Sequence, residues 1–298
     1  MIIKSFIELT MEEKQKLYNY IISIGSNYSF DSFKEMVKDY IGIVFNCGES
    51  HFSLWDDGEI KGTLAVITKN VEENGEAFLT CVNIREEDKG YFTFLLKRGM
   101  KYISTIKPKI VKLGIYTGIS YLIPCVLDFG FKEVYKAMIM KHEENSGYYM
   151  KFPDEVEFIN ISKENKMIFQ QIHNDAFINS PNGSILTDDQ MEELMNEYRQ
   201  CPHMAGLMYY KGRPAGIYEL SIKNDVGWID GIGIAPEFQG KGLGKILLYK
   251  AMDILYTSGT KEVKLFVISS NERAVKLYEK NGFVKEKVTS TWFEKRLT

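Results

Sequence analysis

The spacing of apolar and polar positions divides the second half of the chain into a regular series of helices and strands. Apolar residues at helical spacing indicate helices, and short β-rich segments between turns indicate strands that form an antiparallel meander. Thr187 stands where an N-cap is expected. The predicted elements are helices at 163–177 and 188–199, strands at 203–210, 213–222 and 227–234, a helix at 243–256, a strand at 262–268, a helix at 272–280 and a candidate last strand at 289–296.

The same features occur twice along the chain. Gly90, Gly130 and Phe131 each have an identical residue 152 positions later. A polar segment at 144–155, which contains Gly147 and Pro153, lies between the two halves. We therefore expect two tandem domains, residues 1–145 and 153–298. Each is predicted to be a mixed, mostly antiparallel sheet flanked by helices, in the α+β or α/β class.

Composition narrows the classes of function. The chain has 37 Lys and Arg against 40 Asp and Glu, which argues against a broadly basic nucleic-acid binder and favours a small substrate. The four cysteines are widely spaced and include no CxxC pair, so neither a zinc site nor a disulfide scaffold is indicated. No long apolar segment suggests secretion or a membrane span. We expect a cytoplasmic protein with no metal and no nucleic-acid or membrane partner, and the oligomeric state stays open.

A glycine-rich segment, Gln239-Gly240-Lys241-Gly242-Leu243-Gly244, lies between the third predicted strand and the long helix. Backbone N–H groups at a helix N-terminus attract anions, and glycines allow a pyrophosphate to come close. The spacing fits neither a nucleotide-triphosphate loop nor a dinucleotide fingerprint. The segment predicts a site for another phosphate-bearing ligand, with a plain strand-to-helix turn as the alternative.

A second motif follows, and together the two motifs resemble those of the GNAT superfamily of N-acetyltransferases. The resemblance extends over about residues 160–295. The pattern Q/R-x-x-G-x-G/A is matched by Gln239, Gly242 and Gly244, and the pattern N-x-x-A-x-x-x-Y-x-x-x-G-F is matched by Asn271, Ala274, Tyr278, Gly282 and Phe283.

The resemblance implies an acetyl-CoA-dependent N-acetyltransferase that acts on a primary amine of a small molecule by direct attack in a ternary complex. It implies that the glycine loop binds the pyrophosphate and that Tyr278 protonates the leaving thiolate. Packing is the alternative role for Tyr278, and helix capping is the alternative for Asn271. The expected cofactor contacts are Ile232, Gly233, Ile234, Gln239, Gly240, Lys241, Gly242, Leu243, Gly244, Lys245, Asn271, Ala274 and Tyr278.

The general base is left open between Glu219 and Asp230, and a solvated strand face is the alternative for each. The resemblance also implies that His173, Asn174 and Phe177, at the end of the first predicted helix, shape the acceptor pocket. A packing or surface position is the alternative for His173. The loop at 178–184 is either a lid over the acceptor or a plain connector.

The first half lacks these features at the aligned positions. Glu87 stands at the position of Gln239, and Phe92 stands at the position of Gly244. The negative charge of Glu87 and the bulk of Phe92 both oppose the binding of a pyrophosphate. Val126 stands in the place of the tyrosine, and Pro124 is expected to interrupt the matching helix. We expect the first domain to be a degenerate GNAT-like copy that binds no cofactor, or that builds one wall of the acceptor site.

Two further functions are compatible with the same motifs. One is an acyltransferase that uses another acyl-CoA or a peptide or protein amine. The sequence leaves this open because the shape of the pocket decides the acyl chain length and the acceptor. The other is a non-catalytic CoA-binding sensor.

Overall fold

The computed structural model describes residues 1–25, 30–69, 71–143, 151–178 and 185–297. The chain divides into two compact units, one formed by Met1–Ala137 with Val288–Thr298 and the other by Met138–Lys287. This division differs from the predicted domains 1–145 and 153–298, because it falls inside two strands. Residues 144–150 of the predicted joint lie outside the described residues.

The first unit contains most of the elements that precede residue 138. Its elements are β1 (Ile2–Ser5), α1 (Met11–Ile24), α2 (Phe33–Tyr40), β2 (His51–Asp56), β3 (Glu59–Ile67), α3 (Val71–Asn74), β4 (Glu76–Asn83), α4 (Phe92–Ser104), β5 (Ile110–Tyr116), α5 (Ile123–Asp128) and the first part of β6 (Lys132–Glu143).

The second unit continues with β6 and contains the predicted series of helices and strands. Its elements are β7 (Val156–Asn160), α6 (Lys166–Phe177), α7 (Asp188–Glu197), β8 (Ala205–Tyr210), β9 (Arg213–Lys223), β10 (Val226–Ile234), α8 (Leu243–Thr257), β11 (Glu262–Ile268), α9 (Glu272–Lys280) and the first part of β12 (Val284–Arg296), whose remainder belongs to the first unit.

Strand pairing follows the same order in both units. In the first, antiparallel pairs join β1 to β2, β2 to β3 and β3 to β4, and a parallel pair joins β4 to β5. In the second, antiparallel pairs join β7 to β8, β8 to β9 and β9 to β10, and a parallel pair joins β10 to β11. Each unit therefore has the mixed, mostly antiparallel sheet predicted from the sequence.

The residues of the internal repeat support the duplication. Gly130 and Gly282 both follow a short helix and have nearly equal positive φ angles, 89° and 90°. Phe131 and Phe283, the next residues, are each 2% exposed and belong to the cores of the first and second unit respectively. A glycine is needed at both helix ends because other residues rarely adopt this conformation.

Most elements of the second unit agree with the predictions, and the exceptions have local causes. The predicted start of α6 at residue 163 is wrong, because the Asn165 side chain accepts from the Ser162 N–H and the helix begins at Lys166. The strand predicted from residue 203 begins at Ala205, after a 3₁₀ turn that contains Pro202. No helix in the described segments is both long and apolar enough to cross a membrane.

Candidate active site

A groove of about 760 Å³ lies at the N-terminal end of α8 in the second unit. Its walls are the end of α6, the end of β10, the glycine loop, the first turns of α8 and one face of α9. The lining residues are Ala176, Phe177, Ile232, Gly233, Ile234, Phe238, Gln239, Gly240, Gly242, Leu243, Gly244, Lys245, Leu247, Asn271, Glu272, Arg273, Ala274, Lys276, Leu277, Tyr278 and Lys280.

The course of β10 explains why the groove forms here. Within the described residues, its parallel pairing with β11 ends at Ile229 and Leu265, although both strands continue. Asp230 has no partner on β9 and forms a β-bulge. After the bulge, the side chains of β10 alternate in the opposite sense, so each lies on the other face of the sheet from where it would otherwise lie. Gly227 accordingly faces Leu255 of α8, whereas Gly233 faces α6.

Gly233 allows α6 to end directly against β10. A Cβ atom at this position would lie 2.9 Å from the Cβ of Ala176, which is closer than such atoms can approach. The next residue of α6, Phe177, lines the groove. The glycine therefore brings the end of α6 to the groove wall.

The glycine loop has the conformation that its composition predicts. Gly240 and Gly242 have φ angles of 82° and 80°, where a side chain would be strained, and Gly242 is the N-cap of α8. The Gln239 side chain fixes the loop by donating to the carbonyl of Ile234 at 3.1 Å. In the described part of the chain, the N–H groups of residues 240–244 have no hydrogen-bond partner. Free donors at a helix N-terminus are suited to an anion.

Gly244 lines the groove, whereas Lys241 does not. A Cβ atom on Gly244 would lie 3.6 Å from Leu277, an ordinary contact, so a side chain there would cost groove volume rather than cause a clash. Lys241 is not part of the groove lining, and its ammonium group donates to the carbonyl of Glu237 at 3.0 Å. Among the thirteen predicted cofactor contacts, Lys241 alone lies outside the described groove wall.

Tyr278 lies on α9 with its side chain in the groove wall and is 8% exposed. Burial raises the pKa of its hydroxyl to about 12, so the group stays protonated at neutral pH. Within the described segments, no hydrogen bond of this hydroxyl is found. Asn271 caps α9, because its Oδ1 accepts from the Ala274 N–H at 3.2 Å, and it also lines the groove. Both predicted roles of Asn271 are therefore compatible with its position.

The sequence interpretation missed three basic residues of the groove wall. Arg273, Lys276 and Lys280 all belong to α9 and all line the groove. Lys276 is also paired with Glu272 at 2.9 Å. Their spacing of three and four residues places them on one face of a helix, which is the signal that could have identified them.

The two candidate bases lie on β9 and β10, and the predicted acceptor residues lie on α6. Glu219 of β9 faces His173 of α6, with 3.9 Å between Oε1 and Nε2. Asp230 is more exposed and lies 3.9 Å from the ammonium group of Lys223. The ring centroids of His173 and Phe177 lie 4.9 Å apart, so His173 adjoins a residue of the groove wall.

Asn174 holds a neighbouring segment in place. Its Nδ2 donates to the carbonyl of Leu186 at 3.2 Å, and its Oδ1 accepts from the Leu186 N–H at 2.7 Å. The side chain thereby fixes the residue before the N-cap of α7. Of the loop at 178–184, predicted as a lid or a connector, residues 179–184 lie outside the described residues.

The first unit differs from the second at each equivalent position. Gly90 has no positive φ angle, and Phe92 is fully buried at the start of α4. Val126 is also fully buried and belongs to the core. The prediction that Pro124 interrupts the matching helix is wrong, because it lies in the first turn of α5, where proline is tolerated. A smaller cavity of about 430 Å³ lies beside Gly90.

Comparison with known proteins agrees with this geometry. The model of the acetyltransferase (GNAT) family matches residues 168–283. Residues 168–283 are therefore similar to the GNAT family. The matched segment includes the glycine loop, the whole of α9 and the facing pair Glu219 and His173.

Curated relatives match a similar share of the chain. A mycothiol acetyltransferase of Beutenbergia cavernae is 32% identical over 111 residues, which cover 36% of this chain and 37% of that protein. Another, from Renibacterium salmoninarum, is 33% identical over 103 residues and is covered to 26% of its length. The chain therefore matches about a third of the length of these relatives.

The fold likeness extends over nearly the whole chain. A GCN5-related N-acetyltransferase of Sphaerobacter thermophilus has a TM-score of 0.68 at 17% identity, with 99% of this chain and 95% of that chain covered. A tandem GNAT protein from the clavulanic acid biosynthesis pathway has a TM-score of 0.58 at 8% identity, with 99% and 97% covered. The architecture is thus that of tandem GNAT-like units.

Proposed function

We propose that the second unit transfers an acetyl group from acetyl-CoA to a primary amine of a small molecule, by direct attack in a ternary complex. The observation that carries this proposal is the run of five unpartnered N–H groups at the start of α8, beside a groove wall that contains Tyr278. Any helix leaves about four N–H groups without an intrahelical partner, and here these groups adjoin a groove large enough for a ligand.

The groove residues fit coenzyme A in charge as well as in hydrogen bonding. The free N–H groups of residues 240–244 suit the pyrophosphate, because the α8 dipole adds positive potential at the same place. Arg273 and Lys280 add positive charge on α9 at the edge of the groove. Apolar residues of the wall, such as Ile232 and Leu277, suit the pantetheine arm.

Acetyl-CoA supplies an activated acyl carbon, and the chain supplies binding and proton transfer. The loop N–H groups hold the pyrophosphate, and the backbone of Ile232 and Ile234 orients the arm and the thioester. The Tyr278 hydroxyl donates its proton to the leaving sulfur, whose thiol has a pKa of about 8.5. The hydroxyl is protonated throughout the neutral range, as an unshifted tyrosine with a pKa of about 10 would also be.

We also propose that the first unit binds no acetyl-CoA. The loop that precedes α4 lacks a positive φ at Gly90, and Phe92 fills the position of the last loop glycine. Glu86, Glu87 and Asp88 bring negative charge to the same turn. Charge and bulk at this turn both disfavour a pyrophosphate.

The acceptor is proposed to be a small molecule in an intracellular compartment. The curated relatives are named for acetylation of mycothiol, which favours a small acceptor over a protein. A formal net charge of −3 gives no broad attraction to nucleic acid.

The test is release of free coenzyme A thiol from acetyl-CoA across a panel of primary amines, with longer acyl-CoA donors as a second series. The proposal expects release that depends on at least one amine and that Tyr278→Phe slows strongly. Acetyl-CoA binding without release for any amine would favour a CoA-binding sensor instead. Faster release from a longer donor would reassign the acyl group.

A further inference from the structure

Oε1 of Glu219 and Nε2 of His173 face each other, and no direct hydrogen bond joins them. Oε1 of Glu219 is buried and, in the described part of the chain, has no hydrogen-bond partner. Nε2 of His173 lies 3.9 Å away, too far for a direct hydrogen bond. The side chains are only 15% and 16% exposed. A buried polar atom without a partner is costly, so this pair is built for a donor that comes from outside.

The hydrogen-bond network around Asn174 fixes which nitrogen of His173 is the acceptor. Leu186 donates to Oδ1 of Asn174 and accepts from its Nδ2, so the orientation of the amide is determined. Oδ1 lies 3.3 Å from Nδ1 of His173, and an amide oxygen can only accept. Nδ1 therefore carries the hydrogen, and Nε2 presents a lone pair towards Glu219. Burial lowers the pKa of His173, which keeps the ring neutral near pH 7.

Space beside Glu219 is left by the neighbouring strand. Gly231 is its partner on β10, and a Cβ atom there would lie 3.8 Å from Oε1 of Glu219. Because glycine stands at this position, no side chain of the paired residue covers the carboxylate. The hydroxyl of Ser221, two residues further along β9, is also buried and also has no hydrogen-bond partner in the described segments. This part of β9 therefore carries two polar side chains that could form further hydrogen bonds.

The charges around this face are mostly negative. Asp230 of β10 and Glu197 of α7 both act on Glu219, and together with burial, which has the largest effect, they raise its pKa to about 7. His173 of α6 faces the carboxyl and is neutral, and Lys223 is engaged 3.9 Å from Asp230. A cation would be attracted here, and a carboxylate would be repelled.

We propose that Glu219 and His173 form the seat of the acceptor's amino group, and that this seat selects an acceptor that arrives as an ammonium cation with no carboxylate beside it. Two acceptors 3.9 Å apart need one donor with at least two hydrogens, and a primary ammonium group has three. The seat is connected to the groove by the contact of His173 with Phe177. This inference rests on the proposed function, since it specifies the acceptor class.

Binding of three matched probes to the full chain tests the seat without any transfer reaction. The probes are n-propylamine, β-alanine and propan-1-ol, and the readout is the ¹⁵N resonance of the His173 ring, assigned with His173→Gln. The affinity for n-propylamine should rise about tenfold from pH 6 to pH 8, because a carboxyl with a pKa near 7 becomes ionised. β-Alanine should bind at least about tenfold more weakly, and propan-1-ol should show no pH dependence.

Two variants complete the experiment. Glu219→Gln should abolish the pH dependence, whereas Ser221→Ala, a change on the same face and strand, should retain it. Retained acetyl-CoA binding by Glu219→Gln shows that the variant is folded. Equal affinity for β-alanine, an unperturbed His173 resonance, or the same pH dependence in Glu219→Gln would each overturn the proposal. Probe binding as expected without thiol release would instead refute the proposed transferase activity and leave the seat intact.

Discussion

Replacing Glu219 by glutamine should stabilise the protein, and the gain should depend on pH. The side chain lies on β9 under α6, and burial together with two nearby carboxylates raises its pKa from 4.5 to about 7. Glutamine has the same size and cannot ionise. Below pH 4.5 the carboxyl is neutral in both the folded and the unfolded chain, so wild type and variant should have similar free energies of unfolding.

The magnitude follows from the change in pKa. As the pH rises from 4.5 to 7, the unfolded chain releases the proton while the folded chain retains it, so the stability of the wild type falls. Each unit of pKa is worth about 1.4 kcal/mol, and the ionised carboxylate therefore costs the folded state about 3 kcal/mol above pH 7. For a unit of this size, such a gain should raise Tm by roughly 6–12 °C.

The assay is thermal unfolding of wild type and Glu219→Gln at pH 4.5, 6 and 8. Glu157→Gln is the matched control, because Glu157 is an exposed carboxylate on β7 of the same sheet. The control should stay within about 0.5 kcal/mol of wild type at every pH. Parallel stability curves for wild type and Glu219→Gln between pH 4.5 and pH 8 would refute the argument that Glu219 is buried at an energetic cost.

Three further outcomes follow. Tyr278→Phe should lower kcat by about 10²–10⁴-fold while the Kd of acetyl-CoA hardly changes, in steady-state kinetics paired with calorimetry; an unchanged kcat in a step limited by chemistry would remove the tyrosine from proton transfer. Thr187→Ala should destabilise α7 by about 1 kcal/mol in thermal unfolding, because Thr187 caps the helix and forms a capping box with Gln190; no loss would show that the cap is unimportant. Arg273→Gln and Lys280→Gln should each weaken acetyl-CoA binding about two- to fivefold, less so at high salt, and a salt-independent effect would contradict a charge interaction with phosphate.

Elements with strong local signals could be predicted from the sequence. β11 and α9 begin and end where the apolar pattern and the Asn281-Gly282 end signal place them. Thr187 is the N-cap of α7 as predicted. The glycine loop was found because positive φ angles and free helix N–H groups depend on a few adjacent residues. In these places the local sequence is sufficient.

Features that depend on distant residues could not be predicted in the same way. β7 was missed because it is short and mostly exposed, with little alternation of apolar and polar residues. The pattern of β12 predicts a strand but not that residues from Val288 onward belong to the first unit. The role of Asn174 depends on Leu186, twelve residues away, and therefore has no local signature.

Calorimetric titration of the chain with acetyl-CoA is the most direct test of the central claim, that the second unit alone holds the donor. We expect one site per chain. Gly244→Glu should abolish binding, since a negative side chain there enters the groove while its position in the first turn of α8 suits an acidic residue. Gly90→Glu, a glycine-to-glutamate change in the corresponding loop of the first unit, should bind as wild type does. Two sites per chain, or full affinity in Gly244→Glu, would contradict the account.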